Sequence, residues 1–290
     1  MQLGLVGLGR MGSNMAARLR AAGHQVIGYD RDPGISDAAG LPELAAALTP
    51  PRAVWVMVPP EVTDATVDAV AATLASGDLV IDGGNSSFTL DRPRAQRLAA
   101  RGIGYLDVGV SGGVWGREEG YALMVGGEAE HVAMAQPIFD ALRPAGDFGF
   151  VHAGPVGAGH YAKMVHNGIE YGLMQAYAEG YELLQASDYV TNVPAVIKSW
   201  RAGTVVRSWL LDLLDRALDE DPQLAGLRGY VEDTGEGRWT VDEAVRLGVP
   251  LHVISAALFT RFDSRQDDSP AMKAVAALRN QFGGHAVRRD

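Results

Sequence analysis

The stretch Leu3-Gly4-Leu5-Val6-Gly7-Leu8-Gly9-Arg10-Met11-Gly12 decides the fold of the first half of the chain. Its apolar beginning is typical of a buried strand, and the three glycines that end it have separate functions. Gly7 permits a tight turn, Gly9 lets a pyrophosphate approach the backbone, and Gly12 lets a helix pack closely against the strand. A helix beginning here presents free N–H groups to phosphates. The stretch therefore predicts the strand, turn and helix of a dinucleotide site.

An acidic residue about 20 positions further along supports this interpretation, because a dinucleotide site needs one to bind the ribose. Asp30 follows a second apolar run, and its carboxylate can accept both ribose hydroxyls of NAD while repelling the extra phosphate of NADP. Arg31 could attract that phosphate, but Asp30, Arg31 and Asp32 together are negative. We therefore expect NAD to be preferred, with NADP as the alternative. The predicted cofactor contacts are Gly7, Leu8, Gly9, Arg10, Met11, Gly12, Asp30, Arg31, Val58 and Asn85.

Short apolar runs alternate with amphipathic stretches through the first half of the chain, which predicts βαβ units and a parallel sheet. Predicted strands cover 3–6, 25–29, 53–58, 79–81 and 105–108, and predicted helices cover 14–22, 62–74 and 92–100. A further β pair, 122–125 and 148–151, flanks a helix that begins near residue 129. The fold class is therefore α/β, with a Rossmann-type doubly wound sheet in the N-terminal domain.

The character of the sequence changes after a segment rich in glycine and proline, residues 152–159. Helical patterns follow at 161–186, 193–200, 205–217, 241–246, 252–261 and 271–279. Breaker-rich segments are typical of domain boundaries. We therefore predict a dinucleotide-binding domain at 1–155 and an all-α domain for substrate binding and oligomerisation at 156–290.

Composition excludes several classes of protein. The 290 residues include no cysteine, so disulfides, thiolate catalysis and cysteine-ligated metals are excluded. A formal net charge of -10 opposes binding to nucleic acid or to an anionic membrane. The N-terminus lacks a signal-peptide pattern, and no apolar run approaches the ~18 to 20 residues of a membrane span. We expect a cytoplasmic protein, and no spacing of His, Asp and Glu resembles a metal site.

The most informative stretch runs from Gly157 to Tyr171. If it is helical, Lys163, His166, Asn167 and Glu170 occupy positions i, i+3, i+4 and i+7 on one face. A solvated face is the simplest explanation of such a stripe. The same face, however, continues in residues suited to packing, namely Met174, Tyr177 and Ala178. Burying the polar groups unpaired would be costly. The stripe therefore favours a reaction site.

These segments closely resemble the 6-phosphogluconate dehydrogenases, within the β-hydroxyacid dehydrogenase superfamily. The glycine fingerprint is shared by the whole superfamily, whereas the segment 163–171, KMVHNGIEY, is far more specific. Members that act on 3-hydroxyisobutyrate or tartronate semialdehyde carry its lysine and asparagine without its histidine and glutamate. The other matching segments are 82–86 (DGGNS), 110–113 (VSGG), 124–127 (MVGG), 236–240 (EGRWT) and 279–285 (RNQFGGH).

The resemblance implies oxidative decarboxylation of 6-phosphogluconate to ribulose 5-phosphate and carbon dioxide with reduction of NAD, a step of the pentose phosphate pathway and of gluconate utilisation. Lys163 would be the general base on the 3-hydroxyl, and would then donate a proton during decarboxylation. Glu170 would protonate C1 of the enediol. A lysine acts as a base only when neutral, and burial or a neighbouring cation favours that form.

The resemblance also implies the substrate contacts and a homodimer or homotetramer. The sugar acid would be held by Asn85, Ser111, Gly112, Gly113, His166 and Asn167. The phosphate would be held by Tyr171, Arg238, Arg261, Arg279 and His285, of which the last two would come from a partner subunit. Arginines suit this role because they bind phosphate bidentately and stay charged. Arg265, one helical turn from Arg261, is the alternative to it.

The sequence departs from the family in two respects. Arg238 stands where the family commonly has a lysine in the pattern GTGKW, which keeps the positive charge. The chain also resembles the short form of the family, with a reduced helical domain. Two other functions remain open: a non-decarboxylating dehydrogenase or reductase of a small 3-hydroxy acid such as 3-hydroxyisobutyrate, and a catalytically silent dinucleotide-binding sensor.

Overall fold

The computed structural model describes residues 1–283 and 286–288, and the predicted elements appear in it in the predicted order. Two short helices, Leu41–Ala46 and Gly116–Glu119, were not predicted. The strands are β1 (Gln2–Val6), β2 (Gln25–Tyr29), β3 (Ala53–Val56), β4 (Leu79–Asp82), β5 (Gly104–Ser111), β6 (Ala122–Gly127) and β7 (Phe150–Gly154). The helices are α1 (Arg10–Ala21), α2 (Leu41–Ala46), α3 (Pro60–Thr73), α4 (Asp91–Ala99), α5 (Gly116–Glu119), α6 (Ala129–Leu142), α7 (Ala158–Gln185), α8 (Val193–Ser199), α9 (Trp209–Glu220), α10 (Glu236–Leu247), α11 (His252–Asp263) and α12 (Pro270–Gly283).

The seven strands form one sheet in the order β2-β1-β3-β4-β5-β6-β7. The order reverses between β1 and β3, as in doubly wound folds, and ligands bind such sheets at this switch point. The predicted fold class is therefore confirmed. Strands β1 to β5 are parallel, but β6 runs antiparallel to β5. The link from β5 to β6 contains a single 3-10 turn, Gly113–Trp115, and the short α5, and it is too short for the crossover that a parallel pair requires.

Both faces of the central strands are buried, whereas the edge strand β7 is largely exposed. On β3, the side chain of Trp55 packs into one hydrophobic cluster, while Val54 and Val56 pack into another. Successive strand residues point to opposite faces, so a strand covered on both sides is mostly apolar. This explains why the strands of the first half appear in the sequence as continuous apolar runs.

The chain forms two compact units, Met1–His166 and Asn167–Asp290. The predicted boundary between residues 155 and 156 lies just before α7, whereas the units divide inside α7. The reason is that the first turns of α7 lie against the sheet. The backbone at Gly159 approaches the carbonyl oxygens of Met124 on β6 and Asp107 on β5 so closely that a Cβ there would meet them at 2.4 and 2.5 Å.

The second unit is helical, as predicted, but two of its helices begin at other residues than expected. Helix α9 begins at Trp209 because the Ser208 hydroxyl accepts a hydrogen bond from the N–H of Leu211 at 3.1 Å. Helix α10 begins at Glu236, which places Arg238 in its first turn. Within residues 1–283 and 286–288, no helix is both long enough and apolar enough to cross a membrane.

We predict that Gly12→Ala destabilises the protein more than Gly9→Ala does. A Cβ at Gly12 would lie 1.9 Å from the carbonyl oxygen of Gly7, whereas a Cβ at Gly9 would meet no described heavy atom within 4 Å. Overpacking of this kind costs about 1–3 kcal/mol or more. Chemical denaturation should therefore show that loss for Gly12→Ala, and a change within about 1 kcal/mol for Gly9→Ala. Equal losses in the two variants would contradict the assignment of Gly12 to close packing.

Candidate active site

The turn between β1 and α1 is built to receive a phosphate. Gly7 has a φ of +95°, a conformation that favours glycine, and starts the turn. Gly9 is the N-cap of α1, and no side chain caps this end of the helix. The first N–H groups of α1 are therefore available to an anion. Because Gly9 has no side chain and open space around it, a pyrophosphate can reach the backbone there.

Asp30 lies at the end of β2 and is held in contact with this turn. One of its carboxylate oxygens accepts a hydrogen bond from the N–H of Leu8 at 2.7 Å, and the other accepts one from the N–H of Asp32 at 3.1 Å. Burial acts to raise the pKa of Asp30, but hydrogen bonds from Asp32 and Leu8 and the charge of Arg31 outweigh it and lower the pKa. The carboxylate therefore stays ionised, as an acceptor of ribose hydroxyls must be.

Val58 completes this part of the predicted cofactor set. A Cβ at Gly7 would lie 2.9 Å from Cγ1 of Val58, so the valine side chain lines the turn. Arg10, the first residue of α1, and Arg31, which follows Asp30, are both exposed, and Met11 is half-buried. The shape and charge of this region fit a dinucleotide.

The beginning of α7 is attached to the sheet by one carboxylate. Asp107, on β5, is fully buried, and its two oxygens accept hydrogen bonds from the N–H groups of Gly157 at 2.7 Å and His160 at 2.9 Å. Two residues along β5, a Cβ at Gly109 would lie 2.3 Å from Cβ of Lys163. The side chain of Lys163 therefore passes over β5 at Gly109, where any residue with a Cβ would clash with it.

Three of the predicted site residues meet at the carboxyl end of β5. The Ser111 hydroxyl lies 3.3 Å from Nε2 of His166, and Nδ1 of His166 lies 3.4 Å from Nζ of Lys163. All three side chains are half-buried. Gly112 and Gly113, which follow Ser111, have φ values of +137° and +53° and turn the chain there. A hydroxyl, an imidazole and an amine in this arrangement can bind a hydroxy acid and move a proton.

Asn85 follows β4, the neighbour of β5 in the sheet. The turn that carries it is shaped by Asp82, whose carboxylate accepts a hydrogen bond from the N–H of Gly84 at 3.1 Å. Asn85 is half-buried. Because carboxyl ends of parallel strands share one edge of a sheet, this turn belongs to the ligand-binding edge.

The second unit gathers three arginines around residues 232 and 233. The buried carboxylate of Asp233 accepts hydrogen bonds from Nε of Arg238 at 2.6 Å and Nη2 at 3.1 Å, and pairs with Arg265 at 3.0 Å. Both guanidinium groups lie over the ring of Phe262, at 4.5 and 5.1 Å. Hydrogen bonds from Arg238, opposed by burial and assisted by Arg265, lower the pKa of Asp233. The two arginines are therefore oriented before any ligand binds.

The third arginine of this group is Arg261. Its guanidinium lies 3.4 Å from the ring centre of Tyr171 and donates to the carbonyl oxygen of Glu232 at 3.0 Å. The structure thus brings Tyr171, Arg238 and Arg261 of the predicted phosphate site to neighbouring positions. Arg265 lies in the same group.

The remaining predicted residues lie on two helices or outside the described part. Asn167 and Glu170 follow Lys163 on α7 and are half-buried, and Arg279 is exposed on α12. His285 lies outside the described residues.

Sequence reasoning missed a buried charge cluster beneath this site. It consists of Asp82 on β4, Asp91 and Arg94 on α4, Tyr105 and Asp107 on β5, and His160 on α7. Asp82, Asp91 and His160 lie close enough together to hold a metal ion. However, Arg94 lies 3.0 Å from Asp82 and His160 lies 2.9 Å from Asp91, so ion pairs within the protein already compensate these carboxylates. Asp91 and Arg94 resemble an ordinary surface pair in the sequence, and nothing there indicates that they are buried.

Nearly the whole chain matches one known family. Residues 2–146 match the family described as the NAD binding domain of 6-phosphogluconate dehydrogenase, and residues 159–289 match its C-terminal domain. A relative from Haloferax volcanii, named as an NAD(+)-dependent, decarboxylating 6-phosphogluconate dehydrogenase, is 42% identical over 300 residues that cover 100% of this chain and 99% of that protein.

Solved structures give the same fold. The 6-phosphogluconate dehydrogenase of Plasmodium falciparum superposes with a TM-score of 0.83 at 25% identity, over 100% of this chain and 66% of that one. A 3-hydroxyisobutyrate dehydrogenase from Mycobacterium tuberculosis has a TM-score of 0.69 at 23% identity, over 96% and 99% of the two chains, which shows the fold alone. Since both family matches together cover nearly the whole sequence, the chain is an NAD-binding oxidoreductase that belongs to the 6-phosphogluconate dehydrogenase family.

Proposed function

We propose that this protein oxidises and decarboxylates 6-phosphogluconate to ribulose 5-phosphate and carbon dioxide, with NAD as the preferred electron acceptor. The observation that carries the proposal is the contact of Lys163 with His166, and of His166 with Ser111, at the carboxyl end of β5. The name of the Haloferax relative, which includes both the NAD dependence and the decarboxylation, supports it.

NAD, when bound, accepts a hydride. The residues that would hold it are those of the turn from Gly7 to Gly12, with Asp30, Arg31, Val58 and Asn85. The ionised Asp30 is the reason to expect NAD rather than NADP, since a second negative charge at the ribose would be repelled.

In the first chemical step, hydride leaves C3 of the substrate and Lys163 takes the proton from the 3-hydroxyl. His166 and Ser111 are positioned to bind hydroxyl groups of the sugar acid close to the lysine. We assign Asn85, Gly112, Gly113 and Asn167 to the same part of the substrate. General base catalysis contributes roughly 10² to 10⁴-fold to a rate, and the position of the base determines how much of that is realised.

In the second step, the bond between C1 and C2 breaks and carbon dioxide leaves. Its electron pair becomes the double bond between C2 and C3, and the protonated Lys163 returns its proton to the oxygen on C3, which gives an enediol. Glu170, about two helical turns along α7, then protonates the carbon that becomes C1 of ribulose 5-phosphate. The oxygen on the former C3 gives its proton back to Lys163 in the same step and becomes the carbonyl of the product. One lysine thus serves as base, as acid and again as base, and the carboxyl group supplies the proton at carbon.

The phosphate end of the substrate is assigned to Tyr171, Arg238 and Arg261, with Arg265 beside them. A dianion is well matched by several preoriented guanidinium groups, because each can form charge-assisted hydrogen bonds in a fixed geometry. We assign Arg279 and His285 to the same phosphate from a second subunit, in a homodimer or homotetramer.

The competing function is oxidation of a small 3-hydroxy acid without loss of carbon dioxide, which the fold shared with 3-hydroxyisobutyrate dehydrogenase keeps open. A spectrophotometric assay of NAD and NADP reduction, with 6-phosphogluconate beside 3-hydroxyisobutyrate, distinguishes the two. We expect 6-phosphogluconate with NAD to give the highest kcat/KM. A higher kcat/KM with 3-hydroxyisobutyrate would contradict the proposal and support the competing function.

The proton-transfer roles predict different defects in two variants. Lys163→Met should reduce turnover by at least the ~10² to 10⁴-fold of general base catalysis while NAD still binds. Glu170→Gln should slow the last protonation more than the hydride step, so a single turnover should form NADH before ribulose 5-phosphate appears. If Lys163→Met kept a tenth of the wild-type turnover, Lys163 would not be the base.

The space above Gly109 predicts that Gly109→Ala displaces Lys163, because the added Cβ would lie 2.3 Å from Cβ of the lysine. A misplacement of about 1 Å can cost roughly 10²-fold in rate. We expect kcat to fall by that order while the Kd for NAD stays near the wild-type value. Gly180→Ala, on the helix that bears Lys163, is the control, because a Cβ there meets no described heavy atom within 4 Å. Unchanged kcat in Gly109→Ala would show that the lysine tolerates the displacement.

Asp30→Ser should weaken NAD binding and reduce the preference for NAD over NADP, because it removes the carboxylate that accepts the ribose hydroxyls and leaves Arg31 available to a 2′-phosphate. The measurement is kcat/KM for both cofactors. Asp32→Ser is the matched control, since Asp32 is an exposed acid on the same turn. A wild-type enzyme with the higher kcat/KM for NADP would refute this role of Asp30.

A further inference from the structure

The buried charge cluster is not used by the proposed reaction, yet it lies next to the lysine in the chain. Its three carboxylates, Asp82, Asp91 and Asp107, are each fully buried. Arg94, which is 1% exposed, supplies one positive charge. The negative charge of Asp107 is stabilised by hydrogen bonds from the N–H groups at the beginning of α7. One further positive charge is therefore needed to balance Asp82 and Asp91, and His160 is the group placed to carry it.

His160 is connected, through Asp91 and the partners of Asp91, to residues on α4, β4, α3 and β5. Its Nδ1 lies 2.9 and 3.0 Å from the two carboxylate oxygens of Asp91. Nη1 of Arg94 lies 3.6 Å from Asp91 and donates to Asp82 at 3.0 Å, and Nε donates to Asp64 on α3 at 2.7 Å. The Tyr105 hydroxyl lies 2.9 Å from Asp91 and 3.1 Å from Asp82.

The charges of this cluster favour an ionised pair. Burial disfavours the imidazolium form of His160, but the carboxylate of Asp91, with Asp82 and Asp107, outweighs burial and raises the pKa to about 9. Burial raises the pKa of Asp91 to about 6, although His160 acts to lower it. Between these two values the histidine is charged and the aspartate is ionised.

The cluster is connected to the site at two points. His160 is three residues before Lys163, which is close to one turn of α7. Asp82 accepts the N–H of Gly84 in the turn that leads to Asn85. One set of buried charges therefore fixes both the first turn of the helix that bears the lysine and the turn that bears the asparagine.

We propose that His160, protonated and paired with Asp91, is a positioning residue that fixes Lys163 and the turn before Asn85 relative to each other. The neutral histidine is the alternative, because the same distances suit an uncharged ring that donates from Nδ1. The Nε2 atom has no hydrogen-bond partner among the described residues, so only the negative charge of the nearby carboxylates favours a proton on it. Protonation is therefore the point that an experiment must decide.

The first experiment is an NMR titration of the full-length protein with isotope-labelled histidine, from pH 5 to 10. The resonances of His160 are assigned by their loss in His160→Gln. We expect His160 to remain protonated through pH 8 and to titrate near pH 9. In Asp91→Asn, where burial remains but the counter-charge is gone, we expect it to be neutral at pH 7. A wild-type His160 that titrates near 6.5 or lower would overturn the proposal.

The second experiment compares thermal stability across pH. Because the pKa of His160 is higher in the folded state than its ordinary value of 6.5, its stabilising contribution is complete below about pH 6.5 and is lost as pH rises through about 9. The Tm of the wild type should fall over this range by more than that of the double variant Asp91→Asn/His160→Gln, which lacks both groups. Parallel pH profiles in the two proteins would overturn the proposal.

The third measurement separates positioning from simple stability, and it rests on the proposed function because it needs turnover. Asp91→Asn should lower kcat by ~tenfold or more at a temperature where it is folded, with KM for NAD within about twofold of wild type. Asp68→Asn, which removes an exposed carboxylate that pairs with Arg97 at 3.2 Å, is the control and should change neither. An unchanged kcat in folded Asp91→Asn would reduce His160 to a structural role. If the wild type did not turn over 6-phosphogluconate, the titration and the Tm comparison would still decide the charge of His160.

Discussion

The structure depends on the contact of the Asp107 carboxylate with the backbone N–H groups at the beginning of α7. A carboxylate that accepts backbone N–H groups forms hydrogen bonds roughly twice as strong as neutral ones, and here no water competes because Asp107 is fully buried. This contact requires the helix to approach the sheet closely, which glycines at positions 109 and 159 allow. Lys163 is thereby placed beside Ser111 and His166 by a rigid strand and a helix rather than by a loop.

The proposed phosphate site in the second unit must bind an anion in a protein whose formal net charge is -10. Its three clustered arginines are oriented by groups that do not neutralise them completely: one carboxylate serves both Arg238 and Arg265, and an aromatic ring and a carbonyl oxygen hold Arg261. Arginine at position 238, where the family commonly has a lysine, keeps the positive charge and pairs with Asp233 through both Nε and Nη2.

Much of the fold could be predicted from the sequence, because each βα unit carries its own local pattern. The fingerprint from Gly7 to Gly12 and the apolar runs of the strands needed no knowledge of distant residues. The antiparallel β6 was not predicted, since its direction depends on the length and path of the chain after β5. Gly109 and the pair of Asp91 with His160 were missed for a similar reason: their roles appear only when segments about 50 to 70 residues apart meet. The start of α9 was mistaken because a single cap, Ser208, decides it.

In the proposed mechanism one lysine, placed by the contact of α7 with β5, serves both an oxidation and the decarboxylation that follows it. The most direct measurement is the ratio of carbon dioxide released to NADH formed when the purified protein acts on 6-phosphogluconate labelled at C1. The account predicts one molecule of carbon dioxide for each NADH throughout the reaction. Formation of NADH without release of carbon dioxide would contradict it and would leave the protein a dehydrogenase of a different kind.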